Sequence, residues 1–191
     1  MRNLFNAALT DCAGGFFIPM NLQSTDFELF GIPVQFAQDR AQIDARWKEL
    51  QREAHPDKFA AQGAAAQRVA MQWSVRINEA YQRLKNPLKR ASYLCELHGA
   101  QINAENNTAM PADFLMQQME WREALEAAKS IDDLDKIALE SNICGHKQLL
   151  KIEQTLDENK DFAAAAQQVR SLMFIERFAS EVDARIDQLG Q

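Results

Sequence analysis

Apolar residues recur with helical spacing along most of this chain, at intervals of three or four residues. One series predicts a helix from about residue 39 to 54, with an apolar face made of Ile43, Trp47, Leu50 and Ala54. The next predicts a helix from about residue 65 to 85, with an inner face made of Val69, Trp73, Ile77, Ala80, Tyr81 and Leu84. Between them, Pro56 ends the first helix and forces an extended turn. The pattern therefore predicts an antiparallel helical hairpin whose polar tip is His55-Pro56-Asp57-Lys58.

Shorter helices flank this hairpin. Residues 26–30 form the first, which Gly31-Ile32-Pro33 ends, and residues 88–97 form another after Asn86-Pro87. A polar, asparagine-rich stretch from 98 to 110 then has the composition of a linker. The first domain is therefore expected to span residues 25–97.

Three long helices with short connections follow the linker. Pro111 suits the first turn of a helix to about residue 128, and Ser130 to Asp133 resembles a capping box for a helix to about residue 157. Asp161 is expected to cap a third helix, with an apolar face made of Phe162, Ala165, Val169, Leu172, Ile175, Val182, Ile186 and Leu189. This predicts an antiparallel three-helix bundle over residues 111–190, and hence an all-α protein of two domains.

Composition agrees with a helical chain and excludes some functions. The 191 residues include only seven Gly and five Pro, and no run of 18 apolar residues long enough to span a membrane. A net charge of −6 argues against general nucleic-acid binding. Residues 26–97 carry 11 Lys and Arg against 9 Asp and Glu, whereas residues 98–191 carry 9 against 17, so two surfaces with different partners are expected.

The N-terminal residues and the cysteines carry weaker signals. Residues 1–24 are expected to form a disordered tail, since polar residues interrupt their apolar stretch before it resembles a secretory leader, and Met20 is an alternative start. Cys12, Cys95 and Cys144 are few and scattered, which favours reduced thiols in a cytoplasmic protein over disulfides or a metal site.

The first bundle helix carries two apolar stripes. Phe114, Trp121 and Leu125 lie within about 40° of one another, whereas Leu115 and Met119 lie about 100–140° away from that line. On the third bundle helix, Phe174 lies at least about 100° from Ile175. The second stripe belongs either to a broad core or to an exposed protein-binding surface, whose acidic rim would be Glu120 and Glu123.

Several sequence segments together resemble a known family. His55-Pro56-Asp57, between a basic helix and the segment Ile77 to Leu84, resembles the loop of a J domain. Asp26 to Gly31, Pro87 to Leu94 and Phe114-Leu115-Met116 extend the match over about residues 25–189. The whole resembles HscB, the family of J-type co-chaperones in iron–sulfur cluster assembly.

This resemblance implies both partners and site residues. In the family, the J domain stimulates ATP hydrolysis by the DnaK-type chaperone HscA, and the bundle carries the scaffold protein IscU. The chaperone-binding residues implied are His55, Pro56, Asp57 and Lys58 in the loop, with Arg46, Lys48 and Arg52 on the basic helix. The scaffold-binding residues implied are Leu115, Met119 and Phe174, with Glu120 and Glu123 at the edge. No cofactor, metal, membrane or nucleic-acid partner is expected.

Two features depart from relatives, and two other functions stay open. The N-terminal cysteine-pair module of some eukaryotic relatives is absent, since only Cys12 is present there, and Ala127 stands where related sequences can carry an acid. A general J-domain co-chaperone for other clients is the main alternative. An enzyme using His55 and Asp57 with a cysteine nucleophile is disfavoured, because no oxyanion site, phosphate loop or metal set accompanies these residues.

Overall fold

The computed structural model describes residues 23–102 and 110–190, in which the regular elements are all helical. Packing divides these residues into two units. The first comprises 23–34 and 38–86, and the second comprises 35–37, 87–102 and 110–190. The all-α prediction is confirmed, whereas the predicted N-terminal tail, up to residue 22, and most of the predicted linker lie outside the described residues. Within the described residues, no helix is both long and apolar enough to cross a membrane.

The first unit is built from three helices, α1 (Asp26–Phe30), α2 (Arg40–Glu53) and α3 (Ala64–Lys85). Thr25 and Glu28 form a capping box on α1, and the Asp39 carboxylate caps α2 by accepting from the Ala41 N–H at 2.8 Å. The predicted apolar stripes meet between the helices, where the fully buried side chains are Phe27, Phe30, Ile43, Leu50, Ile77 and Leu84.

A buried carboxylate links α1 to α3. Asp26 is fully buried, and its two oxygens lie 2.6 Å from Arg76 Nη2 and 3.2 Å from Arg83 Nε. Arg76 also donates to the Ser24 carbonyl at 3.0 Å. Removing one member of such a cluster leaves buried charge uncompensated, so the cluster fixes where the short α1 packs.

The turn after α2 differs from the extended turn predicted there. His55 is extended, as a residue before proline should be, but Pro56 then starts a 3₁₀ helix that runs to Gln62. Proline suits the first position of a helix because it has no N–H to leave unpaired. Gly63, at φ 95°, separates this segment from α3.

The second unit contains α4 (Pro87–Leu97), α5 (Ala112–Ala127), α6 (Ile131–Glu153) and α7 (Phe162–Leu189). Ser130 and Asp133 form the predicted capping box on α6. A π-helical turn, Gln154–Glu158, follows α6 where the sequence predicted a continuing α-helix. Leu189, which was expected in the core, is 43% exposed at the end of α7. The core cluster of the bundle consists of Trp121, Leu134, Ile137, Ile175, Phe178 and Val182.

Two segments pack with the bundle although they lie within the range predicted for the first domain. Helix α4 packs against α7, and its Ala91, Leu94 and Cys95 are buried. Residues 35–37 join the same unit because the Asp157 carboxylate accepts the backbone N–H groups of Phe36 and Ala37, both at 2.7 Å. Hydrogen bonds between positions so far apart in the chain leave no periodic signal in the sequence.

Candidate functional site

The tip of the first unit is the first candidate site. His55 caps the 3₁₀ helix, since its Nδ1 accepts the Asp57 backbone N–H at 3.3 Å. In the neutral imidazole this bond puts the proton on Nε2, which is then the donor. The side chains of His55 and Asp57 are 56% and 88% exposed, and no residue from Pro56 to Gln62 is buried. The tip therefore presents a donor, a carboxylate and the Lys58 ammonium to a partner.

The basic residues of α2 do not form a single face. Lys48 and Arg52 are exposed and lie four residues apart, hence within about 40° on the helix and directly before the tip. Arg46 lies about 120–160° from them and is half-buried, with its Nη1 3.1 Å from Glu49 Oε2. The structure thus brings Lys48 and Arg52 together with the tip and leaves Arg46 on a flank.

A polar network holds α2 against α3 just before the tip. Asn78 Oδ1 accepts from Trp47 Nε1 at 2.9 Å and from Gln51 Nε2 at 2.8 Å, and the Ser74 hydroxyl donates to Gln51 Oε1 at 2.9 Å. The Trp47 ring also stacks on Tyr81, with centroids 4.6 Å apart. Gln51 directly precedes Arg52, so this network positions Lys48 and Arg52 beside the tip. In the sequence, only the four-residue spacing of Ser74 and Asn78 indicated such a network.

A second candidate site lies on the outer face of α5. Leu115 is 45% exposed and Met119 63% exposed, which excludes both from the core. Met116, 61% exposed, lies about 60° around the helix from Met119 and was missed as a residue of this surface. Glu120 and Glu123 are exposed beside them. We call the surface of Leu115, Met116 and Met119 the α5 patch.

Phe174 lies in the groove between α5 and α7, beside this patch. It is half-buried and lines a small pocket with Gln118, Trp121, Arg122, Arg177, Phe178 and Glu181. The floor of the pocket is the Trp121–Phe178 pair, whose stacked rings have centroids 5.1 Å apart. Leu115 precedes Gln118 by one helical turn, so helical spacing puts it on the side of α5 that faces Phe174.

A further exposed apolar row lies on α6 and was not predicted. Leu139, Ile143 and Leu150 are 63%, 47% and 60% exposed, and Lys136 and Lys147 are exposed on the same helix. Exposure alone therefore does not single out the α5 patch. What distinguishes that patch is the acidic pair on one flank and the Phe174 groove on the other.

The two cysteines that the structure describes, Cys95 and Cys144, are poorly suited to nucleophilic or metal chemistry. Burial raises the pKa of the Cys95 thiol to about 11, and partial burial also raises the pKa of the Cys144 thiol. Both thiols are therefore protonated at neutral pH. In the described part of the chain, no three His, Cys, Asp or Glu side chains are grouped to hold a metal ion.

Comparison with known proteins places this geometry in context. A family model described as the HSCB C-terminal oligomerisation domain matches residues 110–183. The chain is 51% identical over 173 residues to the co-chaperone protein HscB homolog of Burkholderia multivorans, a match that covers 89% of this chain and 98% of that relative.

Two solved structures are similar over most of the chain. The chaperone HscB from Vibrio cholerae matches with a TM-score of 0.74 and 35% identity, covering 87% of this chain and 99% of that one. The human co-chaperone protein HscB matches with a TM-score of 0.79 and 26% identity, covering 90% of this chain and 84% of that one. Both matches extend well beyond the range of the family model.

Proposed function

Because the chain belongs to the HscB co-chaperone family, we propose that it stimulates ATP hydrolysis by a DnaK-type chaperone, HscA, and delivers the iron–sulfur scaffold protein IscU to it. The observation that carries this proposal is the exposed tip at His55 and Asp57. None of the tip residues from Pro56 to Gln62 is fully buried and most are exposed, which is expected of a segment that serves a partner.

The tip acts on the chaperone through differential binding. Lys48 and Arg52 steer the hairpin toward an acidic surface, although single exposed ion pairs contribute only about 0–1 kcal/mol each. His55 Nε2 and the Asp57 carboxylate then contact the conformation of the chaperone that hydrolyses ATP. A co-chaperone shifts such an equilibrium only by binding one state more tightly than the other. The chemistry itself takes place on the chaperone, so this chain needs no catalytic residue or cofactor of its own.

The bundle holds the scaffold through the α5 patch together with Phe174. Burying exposed Leu and Met side chains under a partner is favourable, while Glu120 and Glu123 at the edge select a partner with basic groups there. Carrying the scaffold on the same chain as the tip raises its effective concentration at the chaperone. We place the protein in the reducing cytoplasm, because Cys95 and Cys144 are free thiols and not disulfide partners.

The decisive experiment measures steady-state ATP turnover by the purified chaperone. Turnover is followed with and without this protein, and each condition is repeated with and without scaffold. We expect stimulation by this protein alone and a larger stimulation when scaffold is added. Stimulation that an unrelated client enhances equally would favour the general J-domain co-chaperone, and no stimulation in any condition would remove the chaperone from the proposal.

A further inference from the structure

The groove beside Phe174 has a charge imbalance that scaffold binding through the α5 patch does not explain. Arg122 Nη1 lies 3.9 Å from Glu181 Oε2, and Arg177 Nε lies 3.5 Å from Glu181 Oε1. Two guanidinium groups thus share one carboxylate, at distances longer than the roughly 2.7–3.2 Å of a good hydrogen bond. Their side chains are 62% and 76% exposed. Among the residues that line the pocket, this leaves one net positive charge.

The position of this charge is opposite to that of the acidic edge. Helical spacing puts Arg122 on the side of α5 that faces α7, about 160° around the helix from Glu120 and about 100° from Glu123. The apolar residues Leu115 and Met119 lie between the two flanks. The surface therefore runs from the acidic edge through Met119 and Leu115 to Arg122, and the exposed Glu126 lies one turn beyond Arg122 on the same side of α5.

We propose that Arg122 and Arg177 form a carboxylate-binding edge that receives an Asp or Glu side chain of the protein held on the α5 patch. The proposal rests on the proposed scaffold binding and adds the residues that fix the orientation of the scaffold. Guanidinium groups suit this role because they bind carboxylates through two parallel hydrogen bonds. A partner turned end for end would put like charges together at both edges, and such juxtaposition is unfavourable.

Glu181 competes with the incoming carboxylate. In the free protein it occupies both guanidinium groups weakly, and the partner's carboxylate replaces it at shorter distances. Neutralising Glu181 should therefore release the two arginines and strengthen binding. A groove in which the arginines merely stabilise the bundle would not behave this way, because removing their shared acid would weaken the fold without improving affinity.

The test measures scaffold affinity by isothermal titration calorimetry at several salt concentrations, with the full chain. Arg122→Glu with Arg177→Glu should weaken binding about tenfold or more at low salt and reduce its salt dependence. Arg122→Lys with Arg177→Lys keeps both charges but loses the paired hydrogen bonds, so it should weaken binding less than the reversal does, about two- to fivefold. Glu181→Gln should strengthen binding about two- to fivefold. The matched control is Lys136→Glu with Lys147→Glu on α6, which makes the same charge change on another face.

Each result separates this inference from the proposed function. If the arginine and lysine reversals weaken binding equally, or if Glu181→Gln does not strengthen it, the carboxylate-binding edge is wrong. Scaffold binding on the α5 patch would stand in that case, provided that Leu115→Ala with Met119→Ala still abolishes most of the affinity in the same assay. Should the reversal unfold the bundle, as judged by circular dichroism, the Lys pair and Glu181→Gln decide the matter.

Discussion

Truncating Leu115 and Met119 together should weaken scaffold binding far more than it weakens the fold. Each change to Ala removes about three methylene equivalents, worth roughly 2.4 kcal/mol if fully transferred from water. Leu115 is 45% and Met119 63% exposed, and that share is what a partner can still bury. The double variant should therefore lose about 2.6 kcal/mol of binding free energy, or roughly an 80-fold increase in Kd. The fractions of the two side chains that are already buried in the free protein predict a loss of about 2 kcal/mol in the free energy of unfolding.

The α6 row provides a control of nearly equal exposure. Leu139 and Leu150 are 63% and 60% exposed, so changing both to Ala should cost a similar free energy of unfolding without affecting affinity. Scaffold affinity is measured by titration calorimetry and stability by urea unfolding. Equal losses of affinity in the two double variants would refute the assignment to α5. A stability loss above about 4 kcal/mol for the α5 variant would show that its side chains belong to a broad core.

Three further predictions concern the tip, the buried carboxylate and a thiol. His55→Gln should abolish stimulation of the chaperone ATPase while leaving helix content and scaffold affinity intact. The control His146→Gln, at an exposed position on α6, should leave stimulation unchanged. Retained stimulation in the His55 variant would remove the tip from the mechanism. Asp26→Asn should lower the free energy of unfolding, measured by urea denaturation, by about 3 kcal/mol, because two arginines lose their buried partner. The control Asp135→Asn, at an exposed position, should lower it by under about 0.5 kcal/mol. Equal losses in the two variants would contradict the buried cluster. Cys95, whose pKa burial raises to about 11, should resist labelling by a thiol reagent at pH 8 in the folded state and react after unfolding, so rapid labelling of the native protein would show that this side of α4 opens.

Local rules account for most of the helices. The cap at Asp39, the box at Ser130 and Asp133, and the proline after His55 all act within a few residues, and the structure has each of them where the sequence predicted a helix end. The 3₁₀ helix after Pro56 was missed because an exposed segment without an apolar face has no periodicity to detect.

Long-range packing accounts for the rest. The hydrogen bonds from the N–H groups of residues 36 and 37 to Asp157 join positions about 120 residues apart, so no local sequence pattern reveals them. At the candidate site, spacing separated Leu115 and Met119 from the core line of α5, and their exposure agrees with that separation. The α6 row was missed because a bundle helix with apolar residues on several sides gives no indication of which side a neighbour covers.

The absence of any buried side chain between Pro56 and Gln62 bears on how mutations would act in a cell. Substitutions of exposed residues in this segment, such as Asp57 and Lys58, should barely change the free energy of unfolding, so they escape the quality control that removes unstable chains. Such a chain would accumulate at normal abundance and still bind the scaffold, but it would no longer stimulate the chaperone. A damaged tip is therefore expected to act as a competitor of the intact protein, with a dominant phenotype that a simple loss of the chain would not produce.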